Sequence, residues 1–399
     1  MLKGIKVQIY PSKAQEKYLA SLFGSYRFVY NKCLEHKIKE YTENKKSVHL
    51  KELGKLFHGE LRKNNEWLKE HNSKVLKQSI MNMLEAYKRF FVNHTGFPKF
   101  RSKNARQSVR FPAEAISRNA FKNNKVNLTK EVKNLKFRCS KEYRDLLENN
   151  IKNIKSCTLS KNKAGKYFCS FLVEVEHTPV EKTNKSVGID LGIKTFLVSS
   201  EGEEIANPKF TRNNEKKLKT LHKRLSKKQK GSMNRKKARL ALAKFWYKIN
   251  CKKQDFLHKL STKIVKDYDI IGIEDLSVKD MLKNPTLAKS IQELSLFEFT
   301  RQLTYKADWN NKLVVKVGKY FASSKTCSGC GWINNNLTLA DRVFICKSCE
   351  LEIDRDFNAS TNIKNEALKL IGSRPSDFKP VETETLVSSV KQESNLTFL

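Results

Sequence analysis

Four cysteines supply the most specific chemistry in the chain. Cys327 and Cys330 form one CxxC pair, fifteen residues intervene, and Cys346 and Cys349 form a second. Two such knuckles at this spacing place four thiolates around one tetrahedral ion, as in a zinc ribbon. No histidine follows His258, so the set is expected to be all-cysteine and closed, which makes it structural. The surrounding pattern lacks the βαβ setting of a redox CxxC. The other cysteines, Cys33, Cys139, Cys157, Cys169 and Cys251, are scattered singly and read as small buried apolar residues.

A second constellation is made of carboxylates. Asp190 ends VGID, Glu274 ends IIGIE, and Asp356 stands in DRDFNAS. Any one of these alone is more often a turn or cap residue, and Asp354 has the position of an N-cap for the helix expected over 357–370. Brought together, three carboxylates repel one another unless cations hold them. Hard oxygen donors suit Mg²⁺, and two such ions can bind both the attacking and the leaving oxygen of a phosphodiester.

The third feature is cationic. Between Arg212 and Lys253 stand seventeen Lys and Arg against a single acid, Glu215. Ordinary solvated helix faces mix both signs, so this imbalance favours phosphate binding. Arg224, Lys228, Arg235, Lys236 and Arg239 are the candidate contacts within it. The whole chain of 399 residues has 79 Lys and Arg against 41 Asp and Glu, a net charge of +38. Such a surface repels itself and calls for a polyanion over a large area. Nucleic acid is the default partner. A membrane is the weaker alternative, because no apolar run approaches a spanning length and the first ten residues lack a signal-peptide core. A soluble, cytoplasmic protein is expected, nucleoid-associated when bound to DNA.

Several elements must position these groups. Alternating Ile5, Val7 and Ile9 predict a strand over 3–10, and Ser12 with Gln15 predicts a capped helix start. Helical periodicity then runs from Ala14 to about Phe91. Strands are expected over 109–111, 125–128, 135–138, 154–159 and 166–175, so residues 1 to about 180 read as a β-barrel-like module with a helical insertion. Beyond Ser186, strands at 187–190, 195–199, 270–274 and 313–317 alternate with helices, the basic run being broken near Gly231 and Ser232. That is an α/β sheet with a site at one edge. The polar segment from Pro375 reads as a loose tail.

In combination, IKVQIYPSKAQE, YRFVYN, GFPKFRSK, VGIDLGIKTF, GIEDLSVKDM, SSKTCSGCG, FICKSC and DRDFNASTNI resemble the TnpB (OrfB) family of transposon-associated RNA-guided DNA nucleases, relatives of the type V CRISPR effectors. The resemblance covers nearly the whole chain. It implies a RuvC-like nuclease of the RNase H fold (186–322 and 352–374) with an inserted zinc ribbon (323–351). Before it would come a wedge-like β-barrel (1–12 and 96–180) carrying a helical recognition domain (13–95), and after it the tail (375–399). It further implies a guide RNA copied from the transposon end, one protein per RNA, a double-stranded DNA target beside a short motif, two Mg²⁺ and one structural Zn²⁺. Asp190, Glu274 and Asp356 match the catalytic positions, and Lys74 and Gln78 match the segment that touches the adjacent motif. Glu350 stands where the family often has glycine. The order Asp, Glu, Asp differs from the Asp, Asp, Glu of true transposases, the first alternative. A DNA-binding regulator without cleavage is the second, and retention of all three carboxylates argues against it.

Overall fold

The computed structural model describes residues 1–372 apart from His177 and Leu339; the expected tail over 375–399 lies outside the described residues. The described chain divides into two compact units, one of Met1–His177 with Arg224–Lys244, the other of Thr178–Lys223 with the residues from Phe245 on.

In the first unit, strand β1 (Leu2–Tyr10) leads into helix α1 (Lys13–Asn44), whose start is fixed by the reciprocal Ser12–Gln15 capping box. The expected helical run to Phe91 is interrupted. Short helices α2 (Leu50–Lys55) and α3 (Arg62–Asn64) flank a π-helical turn, and α4 (Ser73–Asn93) follows under an Asn72 cap. Next come β2 (Gln107–Pro112), β3 (Phe121–Lys122), β4 (Lys125–Val126), β5 (Leu135–Arg138), helix α5 (Lys141–Asn149), β6 (Ile154–Lys161) and β7 (Tyr167–Glu174). They form a seven-stranded antiparallel sheet in the order β2-β6-β7-β1-β5-β4-β3. The first strand in sequence therefore lies inside the sheet, between two that come more than a hundred residues later. One apolar cluster joins Leu19, Leu22 and Leu34 of α1, Leu76, Ile80 and Met83 of α4, and Ile5, Val7, Phe111 and Phe171 of the sheet. The helices and the sheet thus share a core.

The second unit holds β8 (Ser186–Asp190), β9 (Thr195–Ser199), β10 (Glu204–Ala206), part of helices α6 (Glu215–Ser226) and α7 (Met233–Asp267), and β11 (Ile270–Glu274). Helices α8 (Val278–Met281), α9 (Pro285–Leu294) and α10 (Leu296–Trp309) precede β12 (Leu313–Val317), a hairpin of β13 (Val343–Ile345) and β14 (Glu352–Asp354), and helix α11 (Arg355–Gly372). The sheet order is β10-β9-β8-β11-β12, with β8, β11 and β12 mutually parallel.

Strand periodicity of two sorts the faces of this sheet. Val187 and Ile189 of β8, with Ile271 and Ile273 of β11, pack in one cluster with Leu257, Leu260 and Ile264 of α7 and Phe299 and Leu303 of α10. Gly188 and Gly272, register partners across the β8–β11 pair, lie on the other face and meet α11. A Cβ at Gly188 would lie 2.0 Å from the Ser360 carbonyl oxygen, and one at Gly272 would lie 2.9 Å from Ala367 Cβ. The two glycines form a slot into which the helix backbone settles.

Two expectations need correcting. Of the five scattered cysteines, Cys33, Cys157 and Cys169 are buried, but Cys139 is half-buried and Cys251, in α7, is exposed. The basic stretch also does not belong to one body: Arg224–Lys244 groups with the first unit, where Leu242 is buried and Leu240 lies near the Gly165 turn.

Replacing Gly188 by Ala is expected to destabilise the chain by about 3 kcal/mol or more, since helix backbone must move to admit the methyl. Gly54→Ala in α2, where a Cβ meets nothing within 4 Å, is expected to stabilise by ~0.5–1 kcal/mol. Urea denaturation of both variants checks the contrast.

Candidate functional site

Asp190 and Glu274 lie two residues beyond Gly188 and Gly272, so the same alternation aims both carboxylates at the face covered by α11. The third comes from the helix itself. Asp354 Oδ1 accepts the backbone N–H groups of Asp356 (2.9 Å) and Phe357 (3.0 Å), which caps α11 as the sequence implied and fixes Asp356 in its first turn. Asp190, Glu274 and Asp356 are thereby brought into one electrostatic site. Burial, then the charges of Glu274 and Asp356, push Asp190 up to about 7, against a partial opposing pull from Arg355.

Arg355 donates from Nη2 (3.1 Å) and Nε (3.3 Å) to Asp356 Oδ1, and Arg342 stands 4.0 Å from the other oxygen. Ser323 Oγ donates to Glu274 Oε1. Each carboxylate keeps lone pairs beyond these bonds. Hard, partly buried, mutually repelling oxygen donors are of the type that suits a divalent cation such as Mg²⁺.

The cysteines form the second centre. Their four sulfurs all lie within 4.8 Å of one another, with Cys327–Cys349 at 3.6 Å and Cys330–Cys346 at 3.5 Å. A tetrahedron built on Zn–S bonds of ~2.3 Å has edges of about 3.8 Å, so the spacing fits zinc. Two similar turns build it. Cys327 N–H donates to Trp332 and receives Gly331 N–H at its carbonyl; Cys346 N–H donates to Leu351 and receives Glu350 N–H. Gly331 has φ +80° and Glu350 φ +60°. The glutamate therefore occupies a left-handed position that glycine fills in the first knuckle.

The thiols also perturb one another. A hydrogen bond from the Trp332 N–H helps draw Cys330 down to about 7. Cys349, although the Leu351 N–H bonds to it, is pushed up to about 12 by the other sulfurs. Four thiolates coexist here only around a cation.

The nucleic-acid candidates are dispersed. Lys74, exposed, and Gln78, half-buried, stand one turn apart near the start of α4 in the first unit. Arg224, Lys228, Lys236 and Arg239 are exposed in the basic hairpin. Arg235 has a different job. Its Nη1 donates to the carbonyls of Leu225 (3.1 Å) and Lys228 (2.6 Å), closing the turn between α6 and α7. Sequence reasoning gave no role to Ser323, Arg342, Arg355, Asn358 or Asn362, although Asn358 stands in the motif that marks Asp356. The glycine two residues before each strand carboxylate, and the two asparagines four apart after Asp356, were the available signals.

Residues 170–285 match the OrfB_IS605 family described as "Probable transposase", residues 297–363 match "Cas12f1-like, TNB domain", and residues 1–46 match a "Helix-turn-helix domain" of the same group. Residues 1–46 here fold as β1 and the single helix α1. A protein of Streptomyces pristinaespiralis described as "Putative RNA-guided DNA endonuclease" is 34% identical over 397 residues, 98% of this chain and 96% of its own length. InsQ of Escherichia coli K12, under the same description, is 27% identical over 96% of this chain and 97% of its own. In fold, the chain is similar to Cas12f1 in a complex with guide RNA and target DNA (TM-score 0.52, 14% identity, 92% of this chain and 99% of that one). It is similar also to the RNA-guided endonuclease Cas_phi3 (TM-score 0.54, 10% identity, 92% of each chain).

Two outcomes follow for the site. A raised pKa means that the folded state keeps a proton which the unfolded chain releases between about pH 4 and 7, so stability falls as pH rises through that window. In Mg²⁺-free buffer, Asp190→Asn should be more stable than the parent above pH 7, by at most roughly 4 kcal/mol, with the difference vanishing near pH 4. Denaturation curves at several pH values measure it, and a pH-independent difference would contradict the assignment. At the second knuckle, Glu350→Gly should relieve the left-handed strain and stabilise by up to about 1 kcal/mol, read as slower loss of bound zinc to a chelator.

Proposed function

We propose the following mechanism from the premise that this chain belongs to the TnpB (OrfB) family: it is an RNA-guided DNA endonuclease whose hydrolytic centre is Asp190, Glu274 and Asp356. The observation that carries the reading is the delivery of two carboxylates by neighbouring parallel strands onto the face where the first turn of α11 presents the third. The sheet order β10-β9-β8-β11-β12 supports an RNase H-type, RuvC-like reading of 186–322 with 352–374. We take 323–351 as its zinc ribbon, with Cys327, Cys330, Cys346 and Cys349 as ligands, and the seven-stranded sheet with its helices as the wedge-like barrel and recognition part.

Sequence would be read by base pairing between a guide RNA from the transposon end and the target strand, the protein gripping backbone and reading a short flanking motif. The exposed cations of the hairpin, Arg224, Lys228, Lys236 and Arg239, suit phosphate contacts, and Lys74 and Gln78 suit the flanking motif. At the centre, Asp190 must give up its proton to bind metal, which its burial and neighbours oppose at low pH. Glu274 is held from one side by Ser323, and Asp356 by the Asp354 cap and the Arg355 guanidinium. Two Mg²⁺ ions, when bound, supply activation of the attacking water and stabilisation of the leaving oxygen. Arg342 and Arg355 offset the charge of the acids and of an approaching phosphate. The Asp, Glu, Asp order along the chain speaks against a strand-joining transposase.

The guide-loaded complex should cut matched plasmid in Mg²⁺ beside the flanking motif and should carry an RNA with a fixed scaffold and a variable guide, read by sequencing. Asp190→Ala, Glu274→Gln and Asp356→Asn should each lower the cleavage rate by at least ~10³-fold, about 4 kcal/mol of transition-state stabilisation. Cutting that survives Asp190→Ala would overturn the assignment.

A further inference from the structure

A buried polar seam runs from the carboxylate centre to the first cysteine knuckle. Ser323 is only 5% exposed, and its hydroxyl donates to Glu274 Oε1. Its carbonyl accepts from Asn362 Nδ2 at 2.8 Å. The same amide donates to the Thr326 carbonyl (2.6 Å), which also accepts from Asn358 Nδ2 (2.7 Å). Asn358 Oδ1 in turn accepts the Ser328 N–H at 2.9 Å. Thr326 and Ser328 flank Cys327, and Asn358 and Asn362 lie on α11, the helix that presents Asp356.

Asparagine is a poor residue for a helix interior, and a buried amide costs free energy unless it is bonded. Here the two amides, 0% and 5% exposed and one turn apart, direct their bonds to the backbone of 323–328. That backbone is thus keyed to α11 at one end of the seam and delivers the Ser323 hydroxyl to Glu274 at the other. A hydroxyl on one carboxylate oxygen fixes the rotation of the group and leaves its remaining lone pairs directed elsewhere.

We propose that Ser323 is a positioning residue for Glu274, orienting its carboxylate toward the divalent-ion site, and that Asn358 and Asn362 couple this orientation to the folded cysteine knuckle. The proposal deepens the nuclease reading and rests on it. Its consequence is that the metal held by the cysteines supports the affinity of the carboxylates for theirs, although no side chain is shared.

The test is Mn²⁺ binding to the guide-loaded complex, followed by the electron paramagnetic resonance of free Mn²⁺, the site being read as the binding lost in Glu274→Gln. Ser323→Ala should weaken that site ~10- to 100-fold, as loss of a partner behind a metal ligand does. Ser323→Thr, which keeps the hydroxyl, should restore it to within about 3-fold. Asn362→Ala should weaken Mn²⁺ binding in the same way and also speed the release of Zn²⁺ to a chromogenic chelator. Parental Mn²⁺ affinity in Ser323→Ala, beside a Glu274→Gln variant that has lost the site, overturns this inference alone. Failure of Ser323→Thr to restore binding overturns it too, because the effect would then be general. Unchanged Mn²⁺ binding in Glu274→Gln overturns the carboxylate assignment itself.

Discussion

The close approach of α11 to the β8–β11 pair is the constraint on which the second unit depends. Gly188 and Gly272 are register partners, and the helix lies so near them that a methyl group on Gly188 would overlap helix backbone. Strand alternation then does the rest. Whatever stands two residues further along each strand faces the same helix, and in both strands that residue is a carboxylate. The Asp354 cap completes the arrangement by fixing where α11 begins, and with it Asp356.

The site so formed is under electrostatic tension by construction. Asp190 is raised to about 7 by burial and by the charges of Glu274 and Asp356. The cysteine set shows the same signature in sulfur, with Cys349 raised by its neighbours. In a chain with a net charge of +38, these two places concentrate anionic donors instead of dispersing them among lysines. The four sulfurs have the spacing of a zinc site, and at the other place the neighbouring carboxylates help to raise Asp190.

Packing also qualifies how the chain divides. The helices α1 and α4 and the seven-stranded sheet share one apolar cluster, so the changes of texture near residues 12 and 96 mark changes of secondary structure inside a common core. The basic stretch, continuous in sequence, is parted between the two units. Within it Arg235 is engaged with backbone carbonyls, while Arg224, Lys228, Lys236 and Arg239 remain exposed.

The strands β5, β9, β11 and β12 were legible to the residue in sequence, and β1 and β8 to within one residue, because apolar alternation and the Gly, Pro and Asn that stop it act over a few neighbours. So were the α1 capping box, the Asp354 cap and the cysteine knuckles, all features of short span. The three carboxylates could be picked out as strand-end and helix-start residues, and the family motifs around them singled them out. Their convergence was not readable in that way. Nor was the burial that raises Asp190, the link from Ser323 to Glu274, the hold of Arg355 on Asp356, the duty of Arg235, or the exposure of Cys251. Each of these depends on which face of an element meets another element far away in the chain, and local spacing carries no information about that. Local sequence determined the elements and their donor groups; the burial of α11 against two glycines decided that those donors form a site.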